Sequence, residues 1–206
     1  MSEEWILISD DIEDNSDKRR GKMTLHKIHG NELAINASDC LETIMWKMII
    51  DINDSKITNE FYKIIMRTIL GQAVEQIWTN KKEKITNDKY FFVADSKSAY
   101  YSIAGPIRLG AILGGATKSQ IDKLTDFGLH LGRCFQLVDD ILDIEQDKKE
   151  GKTTLVTTLG IEKVKKMAQQ EKENAEKIFN KINYLIKNKS HKELKELVAF
   201  ILDRNH

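Results

Sequence analysis

Two stretches of the chain crowd carboxylates at the same spacing. Leu7–Lys22 reads LISDDIEDNSDKRRGK and Phe135–Asp143 reads FQLVDDILD, so each carries Asp-Asp-x-x-Asp. On a helix, positions four apart stack on one face. Asp10 and Asp14 then share a face with Asp11 beside them, and Asp139 and Asp143 share a face with Asp140 beside them. Like charges at this spacing cost roughly 0.2–0.5 kcal/mol each on an exposed helix, and either cluster alone reads as a solvated acidic face. Each cluster, however, ends an apolar helical run: Trp5-Ile6-Leu7-Ile8 before the first, and Leu129, Leu131, Phe135, Leu137 and Val138 before the second. Two such helices facing one another would gather up to six carboxylates around one space, which is unfavourable unless hard cations compensate. Mg²⁺ takes oxygen ligands, and favours one or two carboxylates plus phosphate oxygens. A metal-bridged polyphosphate is the guest this pattern suits. Arg19 and Arg20 follow the first cluster, and guanidinium forks bind phosphate bidentately.

The elements that hold these residues read as helices almost throughout. One proline in 206 residues argues against a loop-rich or β-rich chain. Apolar spacing predicts helices over Glu3–Asp14, over Asn31–Asn53 (Leu33, Ala37, Leu41, Ile44, Met48, Ile52) and over Lys56–Asn80. Two further helices are expected over Asp88–Asp95 and Ser96–Gly114, with a kink at Pro106. Thr117 and Gln120 have the spacing of a capping box for a helix running to about Gln146. Thr158–Lys189 reads as one long amphipathic helix, and Ser190 and Glu193 as the cap of a last helix ending near Arg204.

The length suits one domain over residues 1–206 with a sizeable core, and 41% hydrophobic residues suit a packed globule. A formal net charge of zero argues against a general nucleic-acid partner. Two cysteines, Cys40 and Cys134, fit a reducing cytosol better than a disulfide scaffold. No apolar run reaches the roughly 20 residues of a membrane span, and the acidic start is unlike a signal peptide; a cytoplasmic location is the expectation. EGKTT lacks the first glycine and the preceding strand of a phosphate-binding P-loop. His26 and His29 have no further ligands at zinc spacing and read as turn or surface residues. The lysines and glutamates of Lys163–Lys189 read as a solvated face.

With these motifs in order, the sequence resembles the trans-isoprenyl diphosphate synthases (polyprenyl synthetases), in particular the short-chain farnesyl and geranylgeranyl diphosphate synthases. The resemblance is carried by DDIED with RRGK (Asp10–Asp14, Arg19–Lys22), Gly71-Gln72, Lys97-Ser98 in SKSAYYSIAGPIRLG, FQLVDDILD, and Gly151-Lys152-Thr153-Thr154-Leu155. It implies an all-α bundle of the isoprenoid-synthase type around a central cavity, usually dimeric. It implies Mg²⁺-dependent transfer of an allylic group from its diphosphate to isopentenyl diphosphate. On this pattern Asp10, Asp11, Asp14, Asp139 and Asp140 hold metal, with Asp143 in support. Arg19, Lys97 and Lys152 bind the allylic diphosphate, and Arg20 faces isopentenyl diphosphate. Ser98 and Gln136 turn oxygens toward the developing cation. Trp5 corresponds to a bulky residue on the cavity wall that limits product length; an ordinary core tryptophan is the alternative.

Three departures from the pattern stand out. The chain begins almost at the first motif, so the expectation is a member shortened at its N-terminus, without the Gly-Gly-Lys-x-x-Arg-Pro run that binds isopentenyl diphosphate. Met23 stands where proline is common, and the loop after Asp143 is compact, with Lys148 or Lys149 as substitutes for a second lysine. Two readings follow: a synthase acting alone or as a homodimer, and a catalytically impaired fragment or non-catalytic subunit paired with a full-length synthase.

Overall fold

The computed structural model describes residues 2–81, 83, 85–145, 154–182, 184 and 188–202. The chain divides into two compact units, Met1–Thr58 and Asn59–His206.

The first unit contains α1 (Ser2–Glu13), a hairpin of β1 (Lys18–Arg19) and β2 (Lys22–Met23), α2 (Leu25–His29) and α3 (Asn31–Asp51). α1 ends because Asn15 adopts a left-handed conformation (φ 52°), which asparagine tolerates better than most residues. The Asn15 amide bonds to the Ile12 carbonyl at 3.2 Å and the Ser16 amide to the Asp11 carbonyl at 2.9 Å. This is the Schellman arrangement, and it makes Asp14 the C-cap. The hairpin turns on Arg20 and Gly21, both at positive φ (51° and 77°), with Arg19 paired to Lys22. That is the two-residue primed turn whose twist matches paired strands. Thr24, buried, donates its hydroxyl to the Ser16 carbonyl at 2.7 Å and closes the base of the hairpin against the end of α1.

α1 and α2 pack on α3. The buried positions of α3 are Ala34, Ser38 and Met45, and the Ser38 hydroxyl donates to the Trp5 carbonyl at 2.9 Å. Trp5 is buried, and its indole Nε1 has no hydrogen-bond partner among the described residues. The apolar spacing of α3 marks a helix, as expected, but not a face turned into this unit: Leu33, Ile44, Met48 and Ile52 are all exposed. His26 also departs from expectation. It is buried in α2, and neither ring nitrogen has a partner among the described residues, whereas His29 is exposed.

α4 (Ser55–Asn80) runs from the first unit into the second. The second unit continues with α5 (Asn87–Val93), a π-helix (Ala94–Ala104), α6 (Gly105–Leu113), α7 (Lys118–Leu142), α8 (Leu155–Leu159), α9 (Ile161–Ile182) and α10 (Asn188–Leu202). The capping box at Thr117 and Gln120 forms in both directions, at 2.7 and 3.4 Å. α7 is the centre of this unit. One face buries Phe127, Leu131, Cys134 and Leu137 against Leu155 and Val156 of α8, Val164, Ala175, Phe179 and Ile182 of α9, and Val198 and Ile201 of α10. Burial pushes the Cys134 thiol up to about 12, so it is an inert core group.

The long helix expected over Thr158–Lys189 is broken. Thr154 caps α8, and Gly160 at φ 84° separates α8 from α9. The last helix starts at Asn188, so Ser190 lies within it rather than at its cap. Pro106 is the second residue of α6, which follows the π-helix directly at Ala104, so its missing N–H falls at the junction of the two helices.

α4 is fixed to α6 and the π-helix by a buried ion pair. Arg108 donates from Nε to Glu60 Oε1 at 2.5 Å and from Nη2 to Oε2 at 3.1 Å, and from Nη1 to the Thr125 hydroxyl at 2.7 Å. Arg67 and Arg108 both lie over the Tyr100 ring. Burial alone would raise the Glu60 pKa, but the Arg108 guanidinium overrides it and the carboxyl titrates below its ordinary value. A depressed native pKa gives stability that is present above the unfolded value and lost as pH falls through the native one. Arg108→Met should therefore cost about 3–5 kcal/mol in urea unfolding at pH 7, and the gap to the parent should narrow as pH falls below the unfolded-state value of about 4.3 and through the lower native one.

Candidate functional site

The acidic motifs fall in different units, and each is described in its own. Both end a helix in the same way. α1 stops at Glu13 and α7 at Leu142, and neither has a basic residue in its last turn. Asp14 and Asp143 are the first residues beyond, each donating its amide to the carbonyl four residues back, Asp10 and Asp139, at 2.9 Å. The C-terminal end of a helix is already negative, so three carboxylates there are unfavourable unless a cation answers them.

In the first unit the answer is Arg19. Its Nε donates to Asp11 Oδ1 at 2.7 Å, and Nη2 lies 2.6 Å from the same oxygen and 3.2 Å from Asp10 Oδ2. Asp11 is buried, Asp10 half-buried and Asp14 exposed. Partial burial disfavours the guanidinium charge, but the hydrogen bond to Asp11 and the charges of Asp11 and Asp10 outweigh it, and the Arg19 pKa is raised. The local fold brings this about: Asn15 turns the chain out of α1, the primed turn reverses it, and Thr24 ties it down. Arg20, at the tip, instead pairs with Glu3 at 2.6 Å and Glu4 at 3.3 Å, all three exposed.

In the second unit the positioning device is a close approach of backbones. Gly132 of α7 lies so near the π-helix that a Cβ there would sit 2.4 Å from Ala99 Cα. A Cβ at Gly128 would sit 2.7 Å from Ala104 Cα, and one at Gly71 of α4 2.7 Å from Ser96 Cβ. The two helices run antiparallel, since Gly128 meets Ala104 and Gly132 meets Ala99. Residues before Ala99 therefore lie beside residues after Gly132, which brings Lys97 and Ser98 to the same end as Gln136, Asp139 and Asp140. Arg133 confirms the alignment: its Nε and Nη2 hold the two Asp95 carboxylate oxygens at 2.5 and 2.6 Å, with its guanidinium over the Phe91 ring. Wide helical turns of this kind occur often at functional sites, and this one carries the Lys97-Ser98 pair.

Lys97 pairs with Glu75 of α4 at 3.1 Å. Gln136 donates Nε2 to Asp140 Oδ1 at 2.9 Å, which leaves its acceptor oxygen for other partners. Asp140 is buried, Asp139 half-buried and Asp143 exposed. Sequence reasoning missed Tyr90 and Glu75. The Tyr90 hydroxyl is buried, and burial first, then Asp140, Asp139 and Glu75, push its pKa well above the ordinary value, so it stays protonated beside the motif. No spacing in the sequence marks either residue. Lys152 lies outside the described residues.

Among the described residues, no three or more His, Cys, Asp or Glu side chains converge as a ready metal cage. The donors nevertheless fit Mg²⁺. They are carboxylate oxygens, the metal is commonly held by one or two of these with ligand oxygens completing the shell, and the guanidinium on Asp10 and Asp11 shows that the pair accepts a cation. A shallow depression on α9, lined by Glu162, Lys165, Lys166, Gln169, Gln170 and Glu173, contains none of the motif residues. No helix among the described residues is long and apolar enough to cross a membrane.

A predominantly helical fold with these motifs defines the class, and comparison with known proteins agrees. Residues 2–201 match the polyprenyl synthetase family, and the chain belongs to it. The short chain isoprenyl diphosphate synthase of Methanocaldococcus jannaschii is 27% identical over 96% of this chain and 62% of its own. The farnesyl diphosphate synthase of Geobacillus stearothermophilus is 36% identical over 74% of this chain and 54% of its own. The chain thus spans little more than half the length of these relatives. The polyprenyl synthase of Caulobacter crescentus, solved with calcium and isoprenyl diphosphate, superposes with a TM-score of 0.86 at 20% identity, covering 98% of this chain and 75% of that one, and shows the shared fold.

The glycine notch is open to direct test. Gly132→Ala should destabilise the chain by about 1–3 kcal/mol through overpacking against Ala99. Adding Ala99→Gly removes only the contact with the Ala99 Cβ and leaves those with its backbone, so it should recover little of that loss, as measured by urea unfolding of the two single variants and the double variant.

Proposed function

We propose that the chain forms the metal- and allylic-diphosphate-binding part of a short-chain prenyl diphosphate synthase, which condenses an allylic diphosphate with isopentenyl diphosphate to farnesyl or geranylgeranyl diphosphate. The observation that carries the reading is the matched ending of α1 and α7, each on three aspartates with no cation in its last turn. The family match through both motifs supports it, as does the calcium and isoprenyl diphosphate in the Caulobacter protein. The continuous match also supports reading the two units as one synthase domain of the central-cavity type.

On this reading Asp10, Asp11, Asp14, Asp139, Asp140 and Asp143 supply the Mg²⁺ ligands. Bound Mg²⁺ neutralises charge that gathers on the departing diphosphate. Arg19, Lys97 and Lys152 hold that diphosphate by charge-assisted hydrogen bonds that strengthen as the allylic C–O bond breaks. The diphosphate leaves with the bonding electrons. The allylic cation is attacked by the double bond of isopentenyl diphosphate, whose own diphosphate Arg20 faces, and loss of a proton restores an alkene. Ser98 and Gln136 direct oxygens at the cation, and Trp5 limits product length. The protein works in the cytoplasm.

A second reading has its own observation. Leu33, Ile44, Met48 and Ile52 leave an apolar stripe on α3 in solvent, and surface of that kind is commonly covered by a partner. A second copy would make a homodimer, and a full-length synthase would make this chain an accessory subunit.

Incubation with geranyl diphosphate, radiolabelled isopentenyl diphosphate and Mg²⁺ should give a longer prenyl product, and Asp139→Asn or Lys97→Ala should abolish it. Product formed only when a full-length synthase is added decides for the accessory subunit. Binding is tested separately: Mg²⁺ with inorganic pyrophosphate at 100 times its Kd should add about 2.7 kcal/mol of stability, a rise in Tm of about 5–10 °C for a chain of this size.

A further inference from the structure

We infer that Arg19 is a resident counter-cation on Asp10 and Asp11, and that its transfer to an incoming diphosphate makes metal and diphosphate binding interdependent at this motif. The inference rests on the reading of Asp10 and Asp11 as Mg²⁺ ligands given above.

The guanidinium uses two nitrogens on Asp11 Oδ1, at 2.7 and 2.6 Å, and one of them also reaches Asp10 Oδ2 at 3.2 Å. Mg²⁺ needs carboxylate lone pairs at about 2.0–2.1 Å in near-octahedral geometry. It cannot share Asp11 Oδ1 with two N–H donors, so Arg19 must withdraw before the metal is ligated there. A metal arriving alone displaces a charge-assisted hydrogen-bonded cation from a buried carboxylate and leaves it without an anionic partner in exchange. When a diphosphate arrives as well, the fork passes from carboxylate to phosphate, a match that guanidinium makes bidentately. Each ligand therefore removes an obstacle to the other, and coupling is reciprocal by necessity. Lys18 supplies the control: it carries the same charge one residue before Arg19 in β1 and is exposed.

Equilibrium dialysis of Mn²⁺, with and without inorganic pyrophosphate, tests this on the full chain, with Asp11→Asn identifying uptake at this motif. The parent should hold Mn²⁺ weakly alone and about tenfold or more tighter with pyrophosphate, within the usual range of coupling. Arg19→Gln should bind Mn²⁺ alone about tenfold tighter than the parent and lose most of the gain from pyrophosphate, while Lys18→Gln stays near the parent in both arms. If circular dichroism shows Arg19→Gln unfolded, Arg19→Lys keeps the charge without the fork and should shift the same way by a smaller factor. Equal Mn²⁺ affinity of parent and Arg19 variant without pyrophosphate overturns the exchange and leaves the metal site standing. An equal gain in Lys18→Gln also overturns it, since bulk charge would then suffice. No Asp11-dependent uptake in any arm removes the metal site and the exchange together.

Discussion

Carboxylates at the negative end of a helix are the constraint around which the rest of this chain is arranged. α1 and α7 each run apolar side chains into a packed interior and then finish on Asp-Asp-x-x-Asp, where the helix dipole opposes the charge. A chain selected for stability alone would end such helices on lysine or arginine. Here the cation comes from elsewhere in the sequence: to α1 from the hairpin, as Arg19. In the second unit Lys97 comes to the same end as the α7 carboxylates, from the π-helix, and is itself held by Glu75. Placing the compensating charge on a separate element makes it movable, which a residue within the same helical turn would not be.

Both supporting elements are costly backbone conformations held by their surroundings. Arg20 sits in the left-handed region without being glycine, at an expense of roughly 1–2 kcal/mol, and the hairpin persists because Thr24 and the Asp17 carbonyl fasten its base. The π-helix is eleven residues long, far beyond the single wide turns usual for this geometry. Glycines on two neighbouring helices make room for it, and the Asp95–Arg133 fork fixes its first turn. Such local departures from the best backbone tend to collect where function is, and are sustained by packing elsewhere.

The legible part of the fold was the part whose cause is local. The Thr117–Gln120 box, the apolar spacing of α7 and the ends of α1 and α4 follow from residues within a few positions of one another. Gly160 carried a signal that the reading of one helix over Thr158–Lys189 passed over, since a glycine between Leu159 and Ile161 fits the left-handed break that separates α8 from α9. The hairpin was not legible, because Lys-Arg and Lys-Met have no strand pattern and its turn uses Arg-Gly in place of the common Asn-Gly. The π-helix was hidden for a different reason: ADSKSAYYSIA contains nothing that demands a wide turn, and the glycines that admit it lie some 25–35 residues away in α4 and α7. His26 was hidden likewise, for its burial depends on the packing of α2 against α3.

The helix α3 shows how far periodicity can be taken. Leu33, Ala37, Leu41, Ile44, Met48 and Ile52 mark a helix correctly because the 3.6-residue repeat depends only on the backbone. The repeat says that one face is apolar, not what covers that face. In this unit α1 and α2 take a different strip of the same helix, the one carrying Ala34, Ser38 and Met45, and Ser38 meets the Trp5 carbonyl there through a hydroxyl. α3 thus buries one strip within its own unit and leaves a second, apolar one exposed. Periodicity marks both strips as helical, and only the packing neighbours decide which is buried, by the same removal of apolar area from water that holds α7 against α9.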